Sequence, residues 1–90
     1  MTPDIAERLS ILTMQLIAHL DQSVAFVRDH CSSDEFERYR AEVGKLIAAI
    51  DLGIAEEIYR EHPSLRPEAL DGPYKVDPQI FEPRFYKPAG

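Results

Sequence analysis

An imidazole held against a carboxylate can move protons or take a metal ion, because the carboxylate sets its tautomer and orientation. This sequence offers one such arrangement, His19 with Asp51. Asp51 stands between Ile50 and Leu52 and is the only charge from Leu46 to Ala55. A carboxylate in that setting must reach water, find a partner or keep its proton, since an unpaired buried charge is very costly. With a chain reversal at residues 31–33, position 51 falls beside Leu16 and His19. The reading is therefore a buried polar pair of His19 and Asp51. Its plainer form puts Asp51 at a hairpin edge, paired with His19 or solvated.

Other chemistry finds less support. His19, Ser23, Phe26 and His30 share one side of a helix, but two histidines eleven residues apart lie about 16 Å apart along its axis. They cannot share a metal ion within one chain, and no Glu-x-x-His spacing accompanies either of them. Cys31 follows His30 at a helix boundary, where a dipole favours thiolate. Asp29, Asp34 and Glu35 oppose that effect. No serine has a nucleophile-elbow sequence and no glycine-rich phosphate loop occurs. No catalytic, cofactor-binding or metal-ligating residue is assigned, no cofactor is expected, and the reading leans against an enzyme.

The elements that would position these groups are helices. Thr2 is a good N-cap, Pro3 suits the first helical position, and Asp4 complements the dipole. Ile5, Leu9, Leu12, Leu16, Leu20, Val24, Val27 and Cys31 then recur at helical spacing. This predicts a first helix over about 3–30. Ser32 and Glu35 have capping-box spacing, so a second helix runs over about 33–62, with Pro63 ending it. Its main stripe is Phe36, Tyr39, Val43, Ile47, Ile50, Ile54 and Ile58. So short a link folds the two back on each other as an antiparallel hairpin.

The stretch from Leu46 to Ala55 is apolar all round, and such a helix needs cover on several sides. At 100° per residue a second stripe gathers Ala41, Ala48, Leu52, Ala55 and Tyr59, with Ile11 and Met14 as the counterpart on the first helix. These residues are the expected dimer interface, and close approach of another helix would offset the cost of Gly44 and Gly53. The plainer alternative leaves the alanines as good helix formers on a tolerant surface.

Residues 63–90 change character. Prolines recur about every five residues, excluding a long helix or a central strand. Pro67–Leu70 suits one helical turn, Asp71-Gly72-Pro73 a turn, and the remainder an extended course near polyproline II. The tail also holds Tyr74, Ile80, Phe81, Phe85 and Tyr86. These aromatic and aliphatic residues either clamp it onto the bundle or present a docking peptide to another protein. Packing is the favoured reading.

Composition sets the outer bounds. Ninety residues make one domain at most. The net charge is −6, concentrated in the helical part, while acids and bases balance in the tail. An acidic chain with no basic cluster is a poor partner for nucleic acid or an anionic membrane. Met1–Glu7 lacks the basic start of a signal peptide. A single cysteine fits a reducing compartment, so a cytoplasmic location is expected. The fold class expected is all-α: a helical hairpin (1–62) dimerising into a four-helix bundle, with an extended proline-rich tail (63–90). The function expected is a small homodimeric interaction protein, an adaptor or regulatory subunit, meeting another protein through its tail or acidic face. The rival is a ligand- or metal-binding bundle built on His19 and Asp51, with weak catalysis open to it.

Overall fold

The computed structural model describes residues 1–88 and is all-helical, with two long helices packed against each other. Helix α1 spans Pro3–His30, and the Thr2 hydroxyl accepts from the Ile5 amide at its start. Cys31 turns extended and ends it. Helix α2, Ser33–Ile50, begins two residues later, with Ser32 accepting from the Glu35 amide at 3.2 Å and donating to the Glu35 carboxylate at 3.0 Å. Reversal within two residues sends α2 back along α1.

The second helix is not one uniform α-helix. Asp51–Ala55 forms a turn of π-helix, in which the Glu56 amide reaches the Asp51 carbonyl, and α3 continues over Glu56–Glu61. A π turn inserts one residue into the helical count. Everything beyond it is rotated by about 100° from the phase of α2. Ala55 and Tyr59, expected on the outward second stripe, are thereby swung into the chain's own core, at 2% and 3% exposure. Ile54, expected on the inward stripe, is swung out to 50%. Burying side chains such as Ile58 and Tyr59 is worth about 1.5–3 kcal/mol each. That gain offsets the poorer hydrogen-bond geometry of the π turn.

The core gathers Ala6 of α1, Ala55, Ile58 and Tyr59 of the second helix, and Leu65 beyond it, with Leu9 and Tyr74 packed around them. Val43 is buried further along the seam. Gly44 and Gly53 meet no close neighbour: a Cβ on either would find nothing within 4 Å. Close helix approach therefore does not explain these glycines within one chain.

Beyond His62 the chain makes short 3-10 turns at Pro63–Leu65, Glu68–Leu70 and Pro78–Phe81, the last in a stretch expected to be extended. The second of these turns lies inside a tight loop, Arg66 to Tyr74. The Tyr74 amide donates to the Arg66 carbonyl and the Glu68 amide to the Tyr74 carbonyl, at 3.0 and 3.1 Å. Asp71 supplies the left-handed residue, with φ 62°. Gly72 passes so close to Arg66 that an added Cβ would lie 2.0 Å from its carbonyl oxygen. Replacing Gly72 with alanine forces the loop open. The expected cost is about 2–3 kcal/mol, read as a fall in melting temperature of roughly 10 °C or more by circular dichroism. An unchanged melting curve would show that the loop relaxes freely.

Candidate functional site

A two-helix hairpin leaves two grooves, one on each side of its seam, and here they differ. The tail runs along α1 in the same direction as the helix. The Tyr74 hydroxyl donates to the Glu7 carboxylate at 2.7 Å, and Gln15 donates from Nε2 to the Ile80 carbonyl at 2.8 Å. His19 Nε2 lies 3.3 Å from the Pro83 carbonyl oxygen. Gln22 Oε1 accepts from both the Phe85 and Tyr86 amides, at 2.6 and 3.1 Å. The Tyr86 hydroxyl closes the series on Asp29 at 2.7 Å. The thirteen tail residues from Tyr74 to Tyr86 thus run beside the twenty-three of α1 from Glu7 to Asp29, about 33 Å at the helical rise.

Apolar contacts complete the seat. Phe26 meets Phe85 and Tyr86 edge-on, with centroids 5.5 and 5.1 Å apart, and His30 packs on Phe26 and Tyr86. The tail residues Tyr74, Ile80, Phe81, Phe85 and Tyr86 are thus drawn onto their own chain, although Phe85 keeps 59% of its surface exposed. At the other end Arg66 forms a two-pronged ion pair with Glu56, at 2.9 and 3.2 Å, and lies over the Tyr59 ring.

These contacts shift ionisation in predictable directions. Hydrogen bonding to Arg66 holds Glu56 below the usual carboxylate range, and bonding first to Arg28 and then to Tyr86 does the same for Asp29. Tyr74 is pushed up by its bond to Glu7, and Tyr86 by its bond to Asp29. A raised tyrosine stabilises the fold fully below its unfolded value, near pH 10, and that contribution is lost as the pH climbs through the folded value. The lowered carboxylates act in the opposite sense, losing their contribution as the pH falls below about 4. Melting temperature should therefore fall above about pH 10. Tyr74→Phe should flatten that alkaline limb, and a limb identical to the parent's would disprove the assignment.

His19 and Asp51 are not joined by a hydrogen bond among the described residues. His19 is exposed and turned to the tail, because the tail occupies that flank of α1. Asp51, half-buried, lines the groove on the other side of the tail's path. Ser23 parts company with its expected neighbours and accepts from the Tyr39 hydroxyl of α2 at 2.8 Å. Cys31 is an exposed free thiol. No group of three His, Cys, Asp or Glu side chains suited to a metal ion occurs among the described residues. No helix among them is long and apolar enough to cross a membrane.

The first groove lies between α1, the second helix and the tail. It is a cavity of about 520 Å³. Met14, Ile17 and Ala18 wall it from α1, and Ile47, Ala55 and Tyr59 from the second helix. Leu70, Val76 and Phe81 of the tail close the third side. Met14 and Ile11, expected at a dimer interface, are half-buried. The second groove has no such cover. Ile5, Leu12 and Leu16 stand 52%, 46% and 42% exposed on α1, with Leu46 and Ile54 at 53% and 50% on the second helix. Leu9 sits beside Gly53 and Ile54 on that side. On the outer back of α2, Ala41 and Ala48 are exposed and Leu52 is 70% exposed.

Gln15, Gln22 and Glu7, which hold the tail, escape a reading that looks for catalytic types. Their signal is spacing alone: Gln15 and Gln22 are seven residues apart and share a face with His19, Phe26 and Asp29. No family model, curated protein or solved structure matches this chain.

Proposed function

We propose that the chain is a small interaction protein whose working form is a homodimer. The observation that carries this reading is the uncovered groove. Soluble chains rarely leave a contiguous apolar surface of several large aliphatic residues open to water. Here Ile5, Leu12 and Leu16, which share one face of α1 by helical spacing, and Leu46 and Ile54 of the second helix are each 42–53% exposed. A second copy offers an equally apolar surface, and a two-fold axis lets each groove cover the other. The resulting unit has four long helices and displays acidic outer faces on both sides.

The contact surface supported by the structure differs from the stripe expected earlier. Ala55 and Tyr59 are withdrawn into the core, so Ile54 and Leu46 take their place beside Leu12 and Leu16. Sedimentation equilibrium from low to high micromolar concentration tests the proposal. A dimer across that range supports it, and a monomer of 10.3 kDa at the highest concentration overturns it.

The ligand-site alternative built on His19 and Asp51 draws no support from their positions, which lie on different flanks of α1. An adaptor or regulatory role for the dimer fits its acidic exterior, with net charge −6 per chain. Such a surface selects basic partners by long-range attraction.

A further inference from the structure

We propose that the cavity between α1, the second helix and the tail is a binding site for a small amphiphilic cation, an aliphatic or aromatic body carrying one positively charged nitrogen. This inference is independent of the dimer, since it concerns the opposite groove.

Three properties of the cavity point to that class. Its volume, about 520 Å³, lies in the range of about 300–1,000 Å³ typical of small-molecule sites. Its walls are overwhelmingly aliphatic and aromatic, so an apolar body is favoured at about 25 cal/mol per Å² removed from water. The charged side chains on its lining are Asp21, Asp51 and Glu68, and all are carboxylates. They come from three separate elements, α1, the π turn and the tail; Asp51 is half-buried, and Asp21 and Glu68 are exposed at the rim.

A neutral apolar occupant would strip water from the half-buried Asp51 and return nothing for it. An anion would meet repulsion from three sides. A cationic head placed between Asp21 and Asp51 is attracted to both. Phe81 on the same lining adds an aromatic ring that can meet a cation; the Tyr59 ring already carries Arg66. Arg66 reaches Asp51 through charge alone, because both of its terminal guanidinium nitrogens are hydrogen-bonded to Glu56.

The test uses the full chain and calorimetric titration with decyltrimethylammonium below its micelle concentration, beside decyl sulfate of the same chain length. The cation should bind with one-to-one stoichiometry and at least about tenfold more tightly than the anion. Asp21→Asn and Asp51→Asn should each weaken it by about fivefold. Glu42→Gln removes the same charge at an exposed position of α2 that is not part of this cavity's lining, and should leave the affinity unchanged. Ala18→Phe fills the cavity and should abolish binding while the helical circular dichroism is retained. Equal affinity for both amphiphiles, or an equal effect of Glu42→Gln and Asp21→Asn, would overturn the proposal. So would unaltered binding by a folded Ala18→Phe chain. Asp21 is exposed, so its variant keeps the test decisive if Asp51→Asn fails to fold.

Discussion

The double variant Leu12→Glu, Leu46→Glu is expected to be a folded monomer at concentrations where the parent is a dimer. Both side chains are about half exposed in the single chain, at 46% and 53%, so replacing them costs an isolated subunit about 0.5 kcal/mol or less each. In the proposed dimer the same positions are covered. There each glutamate is an unpaired charge withdrawn from water, and the two-fold axis repeats both of them in the partner. Even 1–1.5 kcal/mol for each of the four charges raises Kd by about three to four powers of ten. The measurement is sedimentation equilibrium on both proteins, with circular dichroism to verify helix content. A persistent dimer would place the interface elsewhere, with the outward Leu52 and Ala48 the next residues to replace. Loss of helix in the variant would show instead that these leucines support the subunit itself.

Deleting residues 73–90 should produce the second large effect, on stability. The deletion removes the Tyr74 bond to Glu7, the Ile80 and Pro83 carbonyls, the Phe85 and Tyr86 amides, and the aromatic contacts on Phe26. It also strips Val76 and Phe81 from the cavity wall. Covering these apolar groups is worth at least about 3–5 kcal/mol, a large share of the 5–15 kcal/mol available to a typical domain. Melting temperature should fall by roughly 15 °C or more, with a less cooperative transition. If it stays within a few degrees, the tail is a passenger on the hairpin, and a docking peptide becomes the better description. Tail removal should not by itself dissociate the proposed dimer, because the tail and the uncovered groove lie on different sides of α1.

The parts of this fold that were legible in the amino-acid sequence are those governed by neighbours in the chain. Thr2, Pro3 and Asp4 mark the start of α1, and Ser32 with Glu35 marks the start of α2, because capping is a contact across three residues. Pro67–Leu70 was readable as a turn for the same reason. The π turn was not readable. Periodicity assumes a single phase, and one inserted residue at Asp51–Ala55 moves Ala55 and Tyr59 from one side of the helix to another. The only local hint was Gly53, a poor helix former in the middle of an apolar run. The tail's course was also hidden. Which flank of α1 it follows depends on contacts more than sixty residues apart, such as Gln15 with Ile80 and Gln22 with Phe85. That choice decides the fate of His19, which finds a tail carbonyl instead of Asp51. It also decides which groove becomes a cavity and which stays bare.

Gln15, His19 and Gln22 share one further property: all three engage the tail through its backbone carbonyls and amides. Main-chain groups are present whatever the side chain, so this part of the attachment reads the path of the tail and not its spelling. It follows that substitutions divide unevenly between the two strands of the contact. Between Ile80 and Tyr86 the side chains pointing to solvent are free to drift, provided the chain keeps its course. On α1 the two glutamines carry the recognition, and each is answerable to a fixed geometry. Gln22 is the most constrained of all, since a single amide oxygen holds two successive backbone N–H groups. A shorter asparagine or a carboxylate in its place inherits a different reach or a different charge. The tail behaves as a ribbon that can change its text, while the helix that holds it cannot easily change its clasps.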